Sequence, residues 1–175
     1  MVLRDGTLMV TADNNSIDAS AAFDNGLENE TSADLRLLAN ISRGTKGLGV
    51  NGRVLPSSIC YNGQCWSLSS GTVEYYGGDA GVDNLIASCD SQSVLVDGGI
   101  SSSRTDTLRV DLANFDISLL NTILGSGTIP SLGGRANGKA LVLSPTAPTP
   151  GLLADIICHG TTISGFDAGD IAAGS

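Results

Sequence analysis

Charge is scarce in this chain of 175 residues: Asp, Glu, Lys and Arg make up 15% of it, against about 25% in an average soluble domain. Lysine and glutamate are the scarcest, reduced to Lys46, Lys139, Glu28, Glu30 and Glu74. Both favour helices, whereas Asp, which supplies most of the acidity, favours turns and caps. The shortage argues for a β-rich chain. Positive charge is short as well, with 9 Lys and Arg against 18 Asp and Glu and a net charge of −9. Nothing here can neutralise phosphates along a groove, which excludes a nucleic-acid partner. An anionic membrane surface is disfavoured on the same ground. The acidity reads as solubility rather than as an acidic binding face. No apolar run reaches the roughly 20 residues of a membrane-spanning helix, and Met1-Val2-Leu3-Arg4-Asp5-Gly6 carries no signal-peptide pattern.

The usual chemical groups are also few. His159 is the only histidine, and it follows Cys158 directly in Ile156-Ile157-Cys158-His159-Gly160. Neighbours on a strand point to opposite faces, so this cysteine and histidine are poorly placed as a nucleophile and base. There is no G-x-S-x-G elbow, P-loop or dinucleotide fingerprint. Asp79 with Asp83, or Asp24 with Asn25 and Glu28, are candidate calcium ligands, but neither group follows the D-x-[DN]-x-[DN]-G loop, and solvated turns explain them better. The expectation is no catalytic residue, no metal and no cofactor, in a protein that is not an enzyme.

Four cysteines remain to be explained. Cys60 and Cys65 flank Tyr61-Asn62-Gly63-Gln64. Asn-Gly between β-favouring residues is a strong hairpin signal, because a type I′ turn needs positive φ at both central positions. With Asn62 and Gly63 at those positions, Tyr61 and Gln64 close the turn, and Cys60 and Cys65 face each other about 4.5 Å apart. That separation suits a disulfide. A zinc site would need more Cys or His pairs, and a redox site would need C-x-x-C beside a βαβ pattern. The staple is therefore preferred, with the job of fixing one turn. Cys89 and Cys158 are candidates for a second bridge between distant strands.

Short apolar-polar alternations separated by Gly-rich turns fill most of the chain. Leu35, Leu37, Ala39 and Ile41 alternate with Asp34, Arg36, Asn40 and Ser42, which predicts a half-buried strand although Thr31-Ser32-Ala33-Asp34 resembles a helix cap. Residues 44–52 read as a loop, Arg53-Val54-Leu55 as a short strand ended by Pro56, and Asp97-Gly98-Gly99 as a turn. Leu108, Val110 and Leu112 alternate, and then the apolar phase shifts to Phe115, which predicts a bulge near Ala113-Asn114. Residues 116–124 are the best helix candidate, with Asp116 as cap. Roughly ten short strands with at most one or two short helices predict an all-β chain, a single-domain β-sandwich or jelly roll over residues 1–175. Residues 1–12 and 165–175 are candidate extended arms, and Val2 to Val10 is a segment that can add a strand to a neighbour.

The expected role is a non-enzymatic structural subunit of an extracellular or virion assembly, of the capsid-decoration, tail or filament type. It would act as a homo-oligomer or by docking on a protein shell. A disulfide fits an oxidising compartment, reached either by a secreted chain that has lost its leader or by a virion protein whose thiols oxidise late. Sequons at Asn14, Asn29 and Asn40 carry little weight in a chain this rich in Asn, Ser and Thr. The alternative is a secreted lectin or adhesin-like module, with Trp66, Tyr75 and Tyr76 as a sugar-stacking patch.

Overall fold

The computed structural model describes residues 4–24, 31–61, 63–101, 106–123 and 130–174. Its strands are β1 (Arg4–Asp13), β2 (Ser16–Asp24), β3 (Ser32–Gly44), β4 (Gly47–Val54), β5 (Ser57–Tyr61), β6 (Gln64–Leu68), β7 (Gly71–Tyr76), β8 (Asp79–Cys89), β9 (Gln92–Ile100), β10 (Thr107–Asp116), β11 (Leu132–Leu143), β12 (Gly151–Ile163) and β13 (Phe166–Gly174), with one short helix, α1 (Leu119–Ile123). The chain is all-β, and all 13 strands belong to one antiparallel sheet.

Strand order follows chain order. β4 and β5 both pair with β3 on one side and with β7 and β6 on the other, so each couple is one long strand with a break in it. The break after β4 lies at Leu55-Pro56, where proline has no N–H for the ladder. Ser57 mends it: the hydroxyl accepts from Arg36 N at 3.0 Å and donates to Leu55 O at 2.8 Å. The result is a meander in one sheet, consistent with the expected all-β single domain; the finer expectation of a sandwich or jelly roll is not confirmed. A jelly roll needs long connections that bring sequence-distant strands together; here sheet order keeps chain order, with two-residue turns at β1–β2, β3–β4, β7–β8, β8–β9 and β12–β13 and longer connections at β9–β10, β10–β11 and β11–β12. The first turn shows how: Asn14 and Asn15 take φ of 44° and 68°, the left-handed conformation that asparagine tolerates best after glycine.

Several segments differ from expectation. Residues 44–52 hold most of β4 rather than a loop, because their glycines make room for large neighbours: a Cβ on Gly52 would lie 2.9 Å from Val73 Cγ2 and 3.3 Å from Leu37 Cδ1. Asp97-Gly98-Gly99 runs inside β9, where a Cβ on Gly98 would come within 2.1 Å of Thr107 O. The two candidate arms, over their described residues, are β1 and β13, hydrogen-bonded to β2 and β12 at the outer edges of the sheet. Small residues there resemble linker composition but carry the β pattern. The bulge expected at Ala113-Asn114 is present, with the register slipping between Leu112 and Phe115 and Asn114 at φ 49°. The helix begins at Leu119, and Asp116 Oδ1 accepts from Ser118 N at 3.0 Å just before it; Leu124 and Gly125 lie outside the described residues.

Cross-strand register sorts the side chains into two faces. Opposed residues share a face, and one face can be followed from β1 to β12: Ala12, Ile17, Ala39, Gly52 and Val73, then Val82, Gly98, Leu108, Val142 and Leu152. It is apolar nearly throughout. The other face carries Thr11, Asp18, Asn51, Glu74, Arg109, Lys139 and Asp155. Bulges preserve this division where the sequence changes phase. Asn84, at φ 50°, lies between Val82 and Leu85 and keeps both on the apolar face, as Asn114 does for Leu112 and Phe115.

Candidate functional site

An apolar face of this extent should be covered, yet no large side chain among the described residues is fully buried. Among those residues the one buried hydrophobic cluster is Phe115, Ile117 and Ala136, at the β10–β11 end next to α1. The rest of the face bounds a hollow trough. Between β5 and β12 the sheet borders an open cavity of about 900 Å³ lined by Trp66 and Leu68 from β6, Val94 from β9, Leu112 and Phe115 from β10, Leu119 and Leu120 from α1, and Ile156 and Cys158 from β12, among others. Among the described residues that line it, none is charged. Ile59 and Tyr61, at 37% and 45% exposure, bring the cavity to the surface at the β5–β6 hairpin. A shallower hollow of about 340 Å³ continues the apolar face toward β1 along Leu8, Ala19, Leu35 and Leu37.

The hairpin at the mouth has the predicted strand pairing and disulfide, with the cysteines closer than the expected separation. Cys60 and Cys65 are opposed and joined by a disulfide with Cα atoms 3.9 Å apart, and Tyr61 faces Gln64. Gly63 takes φ 80°, while Asn62 lies outside the described residues. The disulfide sits on the outer face and leaves Ile59 and Trp66 opposed on the apolar one. The second bridge does not form: Cys89 and Cys158 are free. Both lie on the apolar face, Cys158 in the trough wall, but β8 and β12 are four strand steps apart, roughly 19 Å along the sheet.

Trp66, Tyr75 and Tyr76 do not form a platform. Trp66 lines the trough against Phe115, and Tyr75 shares that face at the far end of β7, 50% exposed. Tyr76 turns to the other face, as alternation requires. Its phenolic oxygen accepts from Lys46 N at 3.1 Å, which holds its pKa below the usual tyrosine value.

The outer face carries paired charges. Arg36 meets Asp34 at 3.3 Å, Lys46 meets Asp79 at 3.8 Å and Arg135 meets Asp116 at 3.6 Å. Arg109 pairs with Asp111, and this contact lowers the Asp111 carboxyl below its ordinary range. His159 also lies outside, opposite in face to Cys158; its Nδ1 is 2.9 Å from Asp170 Oδ2. The other oxygen of Asp170 accepts from Gly160 N at 3.0 Å, and that bond first, then His159, lowers the Asp170 pKa. Of the calcium candidates, Asp79 pairs with Lys46, while Asp83 accepts from Asn84 Nδ2 at 3.1 Å and meets Thr72 Oγ1 at 3.5 Å. Asn25 and Glu28 lie outside the described residues. Among the described residues no cluster of three or more His, Cys, Asp or Glu can hold a metal ion.

Sequence patterning does not point to the trough, although its signal is present. Strands with one apolar side, repeated without a second set of strands to cover them, leave an apolar surface open. No described helix is long and apolar enough to cross a membrane. The disulfide fits an extracellular protein. No protein-family model, curated protein or solved structure matches this chain.

Proposed function

We propose that this chain is a non-enzymatic binding module whose sheet holds an extended apolar ligand, of the kind an aliphatic acyl chain presents. The observation that carries the reading is the cavity of about 900 Å³ whose described lining residues carry no charge. Ligand cavities span about 300–1,000 Å³ and normally add a few polar groups to orient the ligand. Walls this uniform select for apolar bulk, and each methylene removed from water contributes about 0.8 kcal/mol. A sugar would find too few hydrogen-bond partners there, so the lectin reading is set aside for an apolar one. Trp66 is the only tryptophan in the chain and lies in the wall. It reports occupancy directly: a polyene fatty acid seated in the trough takes up Trp66 emission by energy transfer. Leu112→Asp, which introduces an unpaired charge into the wall, should abolish that transfer with the strand signal in circular dichroism unchanged. Absence of transfer in the unaltered chain would refute the reading.

A second reading, the structural subunit of an extracellular or virion assembly, draws on a different feature. Both outermost strands are exposed over all their described side chains, and β1 presents Leu8, Met9 and Val10 at 76%, 61% and 58% exposure. Exposed apolar edges are templates for pairing with another chain. Light scattering over a wide concentration range tests it: discrete oligomers or filaments are expected, and a strict monomer throughout would remove the support.

A further inference from the structure

We propose that two copies of this chain pair through the free edges of their β1 strands, antiparallel about a two-fold axis at Met9. The inference deepens the assembly reading and depends on it only for the presence of a second copy. Among the described residues no strand pairs with the outer side of β1. Natural edges are protected by charge, proline or bulges, but the stretch from Gly6 to Ala12 has no charged residue and no proline, and its register with β2 is regular from Gly6 onward. The opposite edge, β13, carries Asp167 and Asp170. In a chain of net charge −9 most surfaces repel their copies; the central stretch of β1 carries no acid of its own, but Asp5 and Asp13 flank it and come opposite each other when Met9 lies on the axis, so association should strengthen with salt.

The register follows from the sequence of the strand. Thr7-Leu8-Met9-Val10-Thr11 reads nearly the same in both directions, as an isologous contact requires. With Met9 on the axis, Leu8 opposes Val10 and Thr7 opposes Thr11, an apolar pair and a hydroxyl pair of the sort that stabilise adjacent strands. Leu8 and Val10 lie on the trough face of their own sheet. The two-fold keeps them on one side in both copies, so the apolar faces join into a single surface. A slip of one residue would put the two troughs on opposite sides.

The experiment uses the full chain carrying Met9→Cys or Thr11→Cys under mild oxidation, with cross-links mapped by peptide mass. On the axis, the two Met9 positions are about 4.5–5.5 Å apart at Cα, within disulfide reach. The two Thr11 positions are about 14 Å apart and out of reach. Met9→Cys should give a dimer linked through residue 9 and Thr11→Cys should not. Met9→Lys should raise the dissociation constant at least tenfold, and Ala172→Lys on β13 should leave it unchanged. Association that survives Met9→Lys, or cross-links equally well at residue 11, would overturn this interface and leave the assembly reading standing. A monomer at every concentration would end both.

Discussion

The rings of Trp66 and Phe115 meet with centroids 6.1 Å apart, although β6 and β10 are separated by β8 and β9 in the sheet. Three strand spacings amount to about 14 Å. Side chains stand roughly perpendicular to a sheet, so rings this far apart meet when they project from the inside of a curve. The pair marks where the sheet bends over its own apolar face. Phe115 is the better buried partner at 9% exposure. Phe115→Ala should cost about 3–5 kcal/mol in urea unfolding. A double-mutant cycle with Trp66→Ala should return a coupling of about 0.5–1.5 kcal/mol. A coupling of zero would mean that the rings are neighbours without mutual stabilisation.

The hairpin bearing Trp66 depends on its staple for order more than for energy. Closing so short a loop removes little unfolded-chain entropy, about 2 kcal/mol at most on the chain-entropy model. Reduction of Cys60–Cys65 should therefore leave the sheet folded. Trp66 emission should shift toward the red as β5 and β6 loosen at the mouth of the trough. Global loss of strand structure in the same sample would show that the hairpin organises far more of the sheet than its own turn.

Two glycines provide a matched test of backbone requirement. Gly138 takes φ 135°, and a Cβ there would lie 2.0 Å from Asp155 O on the neighbouring strand, whereas a Cβ on Gly6 meets nothing within 4 Å. Gly138→Ala combines a forbidden φ with a backbone clash and should lower stability by more than about 3 kcal/mol, in the range reserved for such mechanisms. Gly6→Ala should stay within about 0.5 kcal/mol of the parent. Denaturant midpoints measured on both variants decide the point.

Asp170 ties β13 to the β12 bulge, and its depressed pKa gives the sign of a pH effect. A carboxylate stabilised in the folded state contributes fully above its unfolded value of about 3.9 and loses that contribution as pH falls through the lower folded value. Amide exchange at Gly160 should therefore be protected near neutral pH and accelerate, beyond its intrinsic pH dependence, only below about pH 4. Asp170→Asn should remove the pH dependence of that protection. Because the group is exposed, the effect is expected to be confined to this last hairpin.

Much of the strand content is legible from alternation alone. Leu35 to Ile41 repeats with period two, Leu38 excepted, and the phase change from Leu112 to Phe115 suffices to place the bulge near Ala113-Asn114. The Asn62-Gly63 signal sets Cys60 opposite Cys65 for a local reason, since a two-residue turn fixes the register of the residues flanking it. Glycine misleads. In 44–52 and 97–99 it reads as turn punctuation, but Gly52 and Gly98 lie within strands at points of close approach, a role that depends on neighbours from other strands. Adjacency in sequence misleads too: Trp66, Tyr75 and Tyr76 lie close together along the chain, yet alternation sends Tyr76 to the outer face and Trp66 into the wall.

By itself the sequence determined the class of this protein: few helix formers, Asp- and Gly-rich turns, and apolar residues on alternate positions leave little other than antiparallel strands. Away from the bulges it also determined which residues would share a face within each strand, because there the face depends only on the two-residue period; the bulge at Asn84 did not show in the pattern. Whether those faces would be closed by a second sheet or left lining a trough was decided in the tertiary structure. The outcome depends on the curvature of the sheet and on which strands become neighbours, and these arise from contacts such as Trp66 with Phe115 that join positions 49 residues apart. Local periodicity carries no information about such contacts, and for that reason the candidate site emerged only with the fold.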